Sequence, residues 1–223
     1  FEPLDDPMRL LIFSFGVGVA HLFTGLGVQF YQLARQKKYA DAIYDVVFWY
    51  LLVGGLIVVL LSTEIFQNIA ELPFTVPGPV AAVAGVLAGI GAVGILFTAG
   101  RESRSPVKRF LKGLYGLYGV SSYLSDILSY SRLLALGLAT SVISTVFNQL
   151  GAMLGGGVVG AIFFTVVFLI GHSMNMAINL LGAYVHTNPL QFVEFFGKFY
   201  EGGGRAYHPF AANTKHFQIK EEK

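Results

Sequence analysis

Four long apolar stretches constrain this chain more than any other feature: Met8 to Gln32, Tyr44 to Leu61, Val80 to Thr98 and Val158 to Leu181. At about 1.5 Å per residue, each is long enough as a helix to cross roughly 30 Å of hydrocarbon. A fifth stretch, Phe110 to Gln149, is longer still and dotted with polar groups. Only 13% of the residues are charged and 54% are hydrophobic, far from the balance of a soluble domain. The expected fold is therefore all-α: a polytopic membrane protein of about five transmembrane helices.

The basic residues predict its orientation. Arg35, Lys37 and Lys38 form one group, Arg101, Arg104, Lys108, Arg109 and Lys112 a second, and the segment from Lys198 to the end a third. Cytoplasmic loops are enriched in such residues. The intervening stretches, Ser62 to Gly78 and Leu150 to Gly157, contain no Lys or Arg, and the first carries Glu64 and Glu71. Five crossings, with the N-terminus outside and the C-terminus in the cytoplasm, satisfy this pattern with only Arg9 near an outer end. The net charge of +2 reflects those loops, so no nucleic-acid partner is expected. With zero Cys, disulfides and thiolate metal sites are excluded, and no cofactor motif is present. The opening Phe1-Glu2-Pro3 has neither an initiator Met nor a signal sequence, and the chain is expected to be a fragment of a longer protein.

Phe110 to Gln149 would extend about 60 Å as one helix, roughly twice the hydrocarbon thickness. Val158 to about Tyr200 has the same excess. Membrane helices tilt by about 20° on average, so this pair is expected to be strongly oblique. On the first of the two, Ser125, Ser129, Arg132, Ala135, Ala139 and Val142 recur at spacings of three and four, a smooth stripe that lets another helix pass close. Arg132 lies within it. A charged group at membrane depth is costly and marks function by default. The nearest carboxylate in sequence, Asp126, lies on roughly the opposite face, while Glu64, Glu194 or a group on another helix could neutralise Arg132 internally.

On the second long helix, His172, Asn175, Asn179, Gly182 and His186 fall on one line. Such a face lines water or a partner more readily than lipid, although each Asn or His also serves as a helix–helix hydrogen-bonding group. The remaining spans read as scaffold. Ala81, Gly85 and Gly89 form one small-residue face of the third span, and Ala84, Ala88 and Ala92 an adjacent one. Either permits close backbone approach. His21 and Gln29 in the first span are expected to be in structural pairing, and Trp49 and Tyr50 to be interfacial aromatics. Glu64 is by default a solvated loop carboxylate, with an entrance-channel role as the sharper alternative.

Tyr123-Leu-Ser-Asp-Ile-Leu-Ser-Tyr-Ser-Arg132-Leu-Leu-Ala-Leu-Gly-Leu-Ala139 resembles the penultimate membrane helix of subunit a, or subunit I, of the V-type and A-type rotary ATPases. Gly182-Ala-Tyr-Val-His186, Leu190-Gln-Phe-Val-Glu194-Phe-Phe-Gly-Lys-Phe-Tyr200 and Glu201-Gly-Gly-Gly-Arg205 resemble its last helix and tail, and the triple glycine favours a prokaryotic member. The resemblance implies a membrane stator in a prokaryotic cell membrane, lying against a rotating ring of small subunits that each carry one ion-binding carboxylate. It implies two offset half-channels for H+ or Na+, with ATP handled by soluble subunits; these and the peripheral-stalk subunits would be reached through an N-terminal domain that this chain would lack. It further implies that the chain corresponds to the last five of eight membrane helices. On this reading residues 1–223 are one membrane domain: scaffold at 8–109, the tilted ion-translocating pair at 110–200 and a cytoplasmic tail at 201–223.

Arg132 would hold the passing ring carboxylate ionised and block a leak between the half-channels. The candidate half-channel residues are Ser129, His172, Ser173, Asn175, Asn179, His186, Gln191, Glu194 and Glu64. The family usually has a second Arg three residues after the position of His186, where this chain has Pro189. A local break over Thr187 to Leu190 is expected there, and Lys198, roughly 13 Å further along a helix, is a poor substitute. The main alternative is a secondary ion transporter with an intramembrane Arg/His/Asn pathway, which predicts paired half-sequences with interrupted helices; no such repeat is seen. A membrane hydrolase would need a Gly-x-Ser-x-Gly or His-Glu-x-x-His motif, and neither occurs.

Overall fold

In the computed structural model the described residues are 4, 6–70, 75–101, 103, 105–153, 155–200, 202–204 and 207. Glu71, Arg104 and most of the 201–223 tail lie outside them. Five helices are long and apolar enough to cross a membrane: α1 Pro7–Arg35, α2 Tyr39–Ser62, α4 Gly78–Thr98, α5 Pro106–Ala152 and α6 Val158–Lys198. A short helix, α3 Glu64–Ala70, follows α2. No strand occurs among the described residues. Pro stands in the first turn of α1, α4 and α5, where its missing N–H leaves no bond unmade and its fixed φ suits helix entry.

The two C-terminal helices are as long as expected, with 47 and 41 residues, or about 70 and 60 Å at 1.5 Å each. α5 stays continuous by tightening twice. At Gly119 and Tyr130 the amides bond three residues back, to Gly116 and Ile127, at 2.9 and 3.1 Å; such short 3₁₀-type turns bend a helix without ending it.

α6 does not break at Pro189. The helix runs through it with φ −60° and ψ −39°, then widens into a π-helical turn over Leu190–Phe195. The expected local break is thus a change of period. Pro cannot donate to the carbonyl four residues back, and a wider turn accommodates the missing bond while the chain stays helical.

α2 and α4 pack through Gly55 and Gly91. A Cβ at Gly91 would stand 2.7 Å from both the Leu52 amide and the Phe48 carbonyl oxygen, and one at Gly55 would meet Ala84 and Ala88. Only a missing side chain permits that approach. Of the two small-residue faces of α4, the one that packs holds the buried residues Ala84, Ala88, Gly91 and Ile95. The other, with Gly85 and Gly89, is exposed. At the same end of the helices, Arg101 donates to Asp45 at 2.8 and 2.7 Å and to Asp41 at 3.0 Å. The Asp45 hydrogen bonds, then the charges of both carboxylates, outweigh burial and raise the affinity of this guanidinium for its proton. This fork ties the start of α2 to the residue just past α4.

Most large apolar side chains, from Phe13 to Val193, are exposed. In a polytopic membrane protein that surface meets lipid. The buried core is correspondingly small: Leu52, Ala88 and Ile95 pack together between α2 and α4, and Leu22, Leu26, Val46 and Tyr130 are buried where α1 meets α2 and α5.

Candidate functional site

The α5–α6 pair is held by small-against-large contacts, with Gly151 on Phe164, Gly171 on Phe147 and Gly182 on Leu136. Along this seam the polar face of α6 turns inward. His172 Nε2 is 3.1 Å from Asn148 Oδ1, buried Asn175 reaches the Thr140 carbonyl at 3.4 Å, and Asn179 bonds Asn175 at 2.8 Å and also meets the Thr140 hydroxyl. These three side chains therefore join the two helices. Their partners on α5, Thr140 and Asn148, escaped the sequence reading; their signal was polarity inside an otherwise apolar helix. Gly182 and His186 continue the line as half-buried residues, Gln191 is half-buried, and Ser173 is exposed. Glu64 is exposed at the start of α3, away from this seam.

Below the seam, toward the tail, four charges pair in reversed order. Arg132 of α5 donates through Nη2 to Oε1 of Glu194 on α6 at 2.7 Å. Lys198 of α6 pairs with Asp126 of α5, its ammonium lying 3.9 Å from the centre of the Tyr123 ring. Of the internal neutralisers open to Arg132, Glu194 is the one it meets. The π turn after Pro189 carries it there: Leu190 and Glu194 are both buried, each 4% exposed. Glu194 Oε2 is buried without a hydrogen-bond partner among the described residues.

Arg132 itself is only partly enclosed, with 31% of its side chain exposed. A guanidinium has five donors, and the bond to Glu194 is made through Nη2. Around it the small-residue stripe lies on the surface. Ser125, Ala135, Ala139 and Val142 are exposed and Ser129 is half-buried.

α1 buttresses this region. The Tyr130 hydroxyl and His21 Nδ1 share a 2.6 Å hydrogen bond, the His21 ring stacks on Phe195 at 4.1 Å, and Gly18 lies against the Tyr130 ring. His21 thus has the structural pairing expected of it. Gln29 instead lines a cleft of about 450 Å³ between the ends of α1 and α6, with Gln32, Gln36, Lys38, Lys198 and Tyr200. Trp49 and Tyr50, expected to be interfacial aromatics, each meet a neighbouring helix. Trp49 stacks on Tyr123 at 4.7 Å, and Tyr50 donates to the Phe23 carbonyl, so both rings join helices. Among the described residues no group of three or more His, Asp and Glu is placed to hold a metal ion.

Residues 120–212 match the V-type ATPase 116kDa subunit family, a range that takes in the paired charges and nearly all of the α5–α6 seam. Over 95% of its length the chain is 35% identical to the A-type ATP synthase subunit I of Methanocaldococcus jannaschii, covering 29% of that protein. It is 32% identical to the Pyrococcus horikoshii A-type ATP synthase subunit I over 99% of its length, covering 32% of that protein. The V-type ATP synthase subunit I of Chlamydia pneumoniae is 29% identical over 91% of the chain, with 27% of that protein covered. The chain spans about a third of the length of these relatives. On the combined weight of these matches, this membrane-embedded chain belongs to the subunit I family of the A-type and V-type ATP synthases.

Proposed function

We propose that this chain is the ion-translocating membrane portion of a rotary ATPase stator, and that Arg132 is the residue past which the rotor's ion-binding carboxylates move. The observation that carries this reading is the setting of Arg132: a side chain still 31% exposed within a surface stripe of small side chains and paired with the buried Glu194. A rotor helix can approach such a stripe closely. A carboxylate arriving there meets a permanently charged fork. Opposite charge at short range favours the ionised carboxylate, so the ion is released on arrival and cannot pass Arg132 still bound.

Glu194 gives this exchange a counterweight. Between carboxylates its Oε1 keeps the guanidinium neutralised; when a rotor carboxylate docks, the remaining donors engage it while the bond to Glu194 holds Arg132 in place. A departing carboxylate leaves behind a cation that still has a partner, which lowers the cost of separation. Lys198 is committed to Asp126 and does not replace the second family cation whose position Pro189 occupies. Arg132 therefore acts alone at this surface.

The polar line His172, Ser173, Asn175, Asn179, His186 and Gln191 of α6 supplies one half-channel, with Ser129 beside Arg132; Glu64, which lies away from the seam, is not part of it. The hydrogen bonds of His172, Asn175 and Asn179 to α5 satisfy those three groups while an ion is absent. The chain has the role of a non-catalytic subunit, with its C-terminus in the cytoplasm, a ring of small carboxylate-bearing subunits as its moving partner, and ATP chemistry on the soluble subunits. The ion is H+ or Na+, selected chiefly by the ring.

The test is ATP-driven ion uptake into vesicles holding the complete complex. Arg132→Ala should abolish uptake while the complex still assembles. Uptake persisting in that variant, or solute-gradient exchange without ATP in the parent, would overturn the proposal.

A further inference from the structure

The first segment of α5, Pro106–Tyr118, carries Lys108, Arg109 and Lys112 and no acidic residue. Its packed face is defined by Gly113 against Leu96, Gly116 against Ala99, and the Arg109 backbone against Gly100. Arg109 Nε also donates to the Phe97 carbonyl at 3.2 Å. These contacts fix its depth. The three cations stand level with the last turn of α4, where an apolar span gives way to Arg101.

The other two faces are exposed. Val107, Leu111, Leu114 and Tyr118 follow one another at spacings of four, three and four, and Lys108, Lys112 and Tyr115 at four and three. An apolar stripe thus runs beside a basic one at the depth of the membrane surface. Among the described residues no carboxylate forms an ion pair with these cations, and Asp41 and Asp45 are committed to Arg101.

We propose that this segment is a binding site for the headgroups of anionic phospholipids. Its apolar stripe enters the boundary between headgroups and acyl chains, and Lys108 and Lys112 meet headgroup phosphates from the same helix. The phosphate chemistry alone would also fit a soluble phosphate, but the apolar stripe alongside selects the lipid. The inference rests on the spans and on packing against α4, and it stands apart from the role proposed for Arg132.

The complete complex would be placed in bilayers containing photoactivatable phosphatidylglycerol or phosphatidylcholine with the same headgroup label, and labelling of peptide 106–118 measured by mass spectrometry. Phosphatidylglycerol should label it several-fold more strongly. That preference should fall by about fivefold per cation in Lys108→Gln and Lys112→Gln, hold in Lys108→Arg with Lys112→Arg, and resist millimolar glycerol phosphate. Equal labelling by the two lipids, indifference to the Gln variants or full competition by glycerol phosphate would overturn it. So would cross-linking of the segment to another subunit in place of lipid.

Discussion

In the role proposed for Arg132, its pairing with Glu194 makes a fixed charge exchangeable, and the substitution that separates those two states is small. Glu194→Gln preserves shape but removes the inner counter-charge, so the rotor carboxylate is held more tightly and leaves more slowly. ATP hydrolysis and ion uptake by the complete complex should fall together, by about tenfold if 1.4 kcal/mol of pairing is lost; parallel assays of the two rates check this. The neighbouring pair behaves differently because both partners are enclosed, with side chains 12% and 16% exposed. Asp126→Asn strands the Lys198 ammonium and should cost about 3 kcal/mol. The exchange Asp126→Lys with Lys198→Asp should recover more than half of that, as read from unfolding midpoints in detergent.

At the scale of helices, packing is decided by which small residues face a neighbour. Gly91→Val places two methyl groups against the α2 backbone and should destabilise the fold by about 3 kcal/mol. Gly89→Val, two positions away on the exposed face, should stay within about 0.5 kcal/mol. Thermal unfolding of the two variants side by side makes the comparison.

The same contrast shows what the sequence could convey. The five spans and the excess length of α5 and α6 were legible because length and polarity are properties of the chain itself. The stripe around Arg132 was equally plain, because its spacing requires no knowledge of a partner. Which face of α4 packs was not, since Gly85 with Gly89 and Ala84 with Ala88 offer the same spacing and only the position of α2 separates them. The Arg132–Glu194 pair stood among several alternatives because the π turn that rotates Glu194 inward is a tertiary accommodation of Pro189. Asp126–Lys198 was hidden for a related reason: its partners lie 72 residues apart and meet only once α5 and α6 are antiparallel.

For the molecule as a whole, the surface proposed to meet the rotor lies on one side of α5 and the hydrogen-bonded seam with α6 on the other. The chain has no Cys, so introduced thiols report without background from it. The most direct measurement is disulfide trapping in the complete complex, pairing Ala135→Cys or Ala139→Cys with a Cys one helical turn from the ring carboxylate, with Asn175→Cys as the inward-facing control. The account predicts cross-links from 135 and 139, none from 175, and arrest of ATP-driven rotation that reductant reverses. Cross-linking confined to 175, or trapping at 135 and 139 that leaves rotation unimpaired, would contradict it.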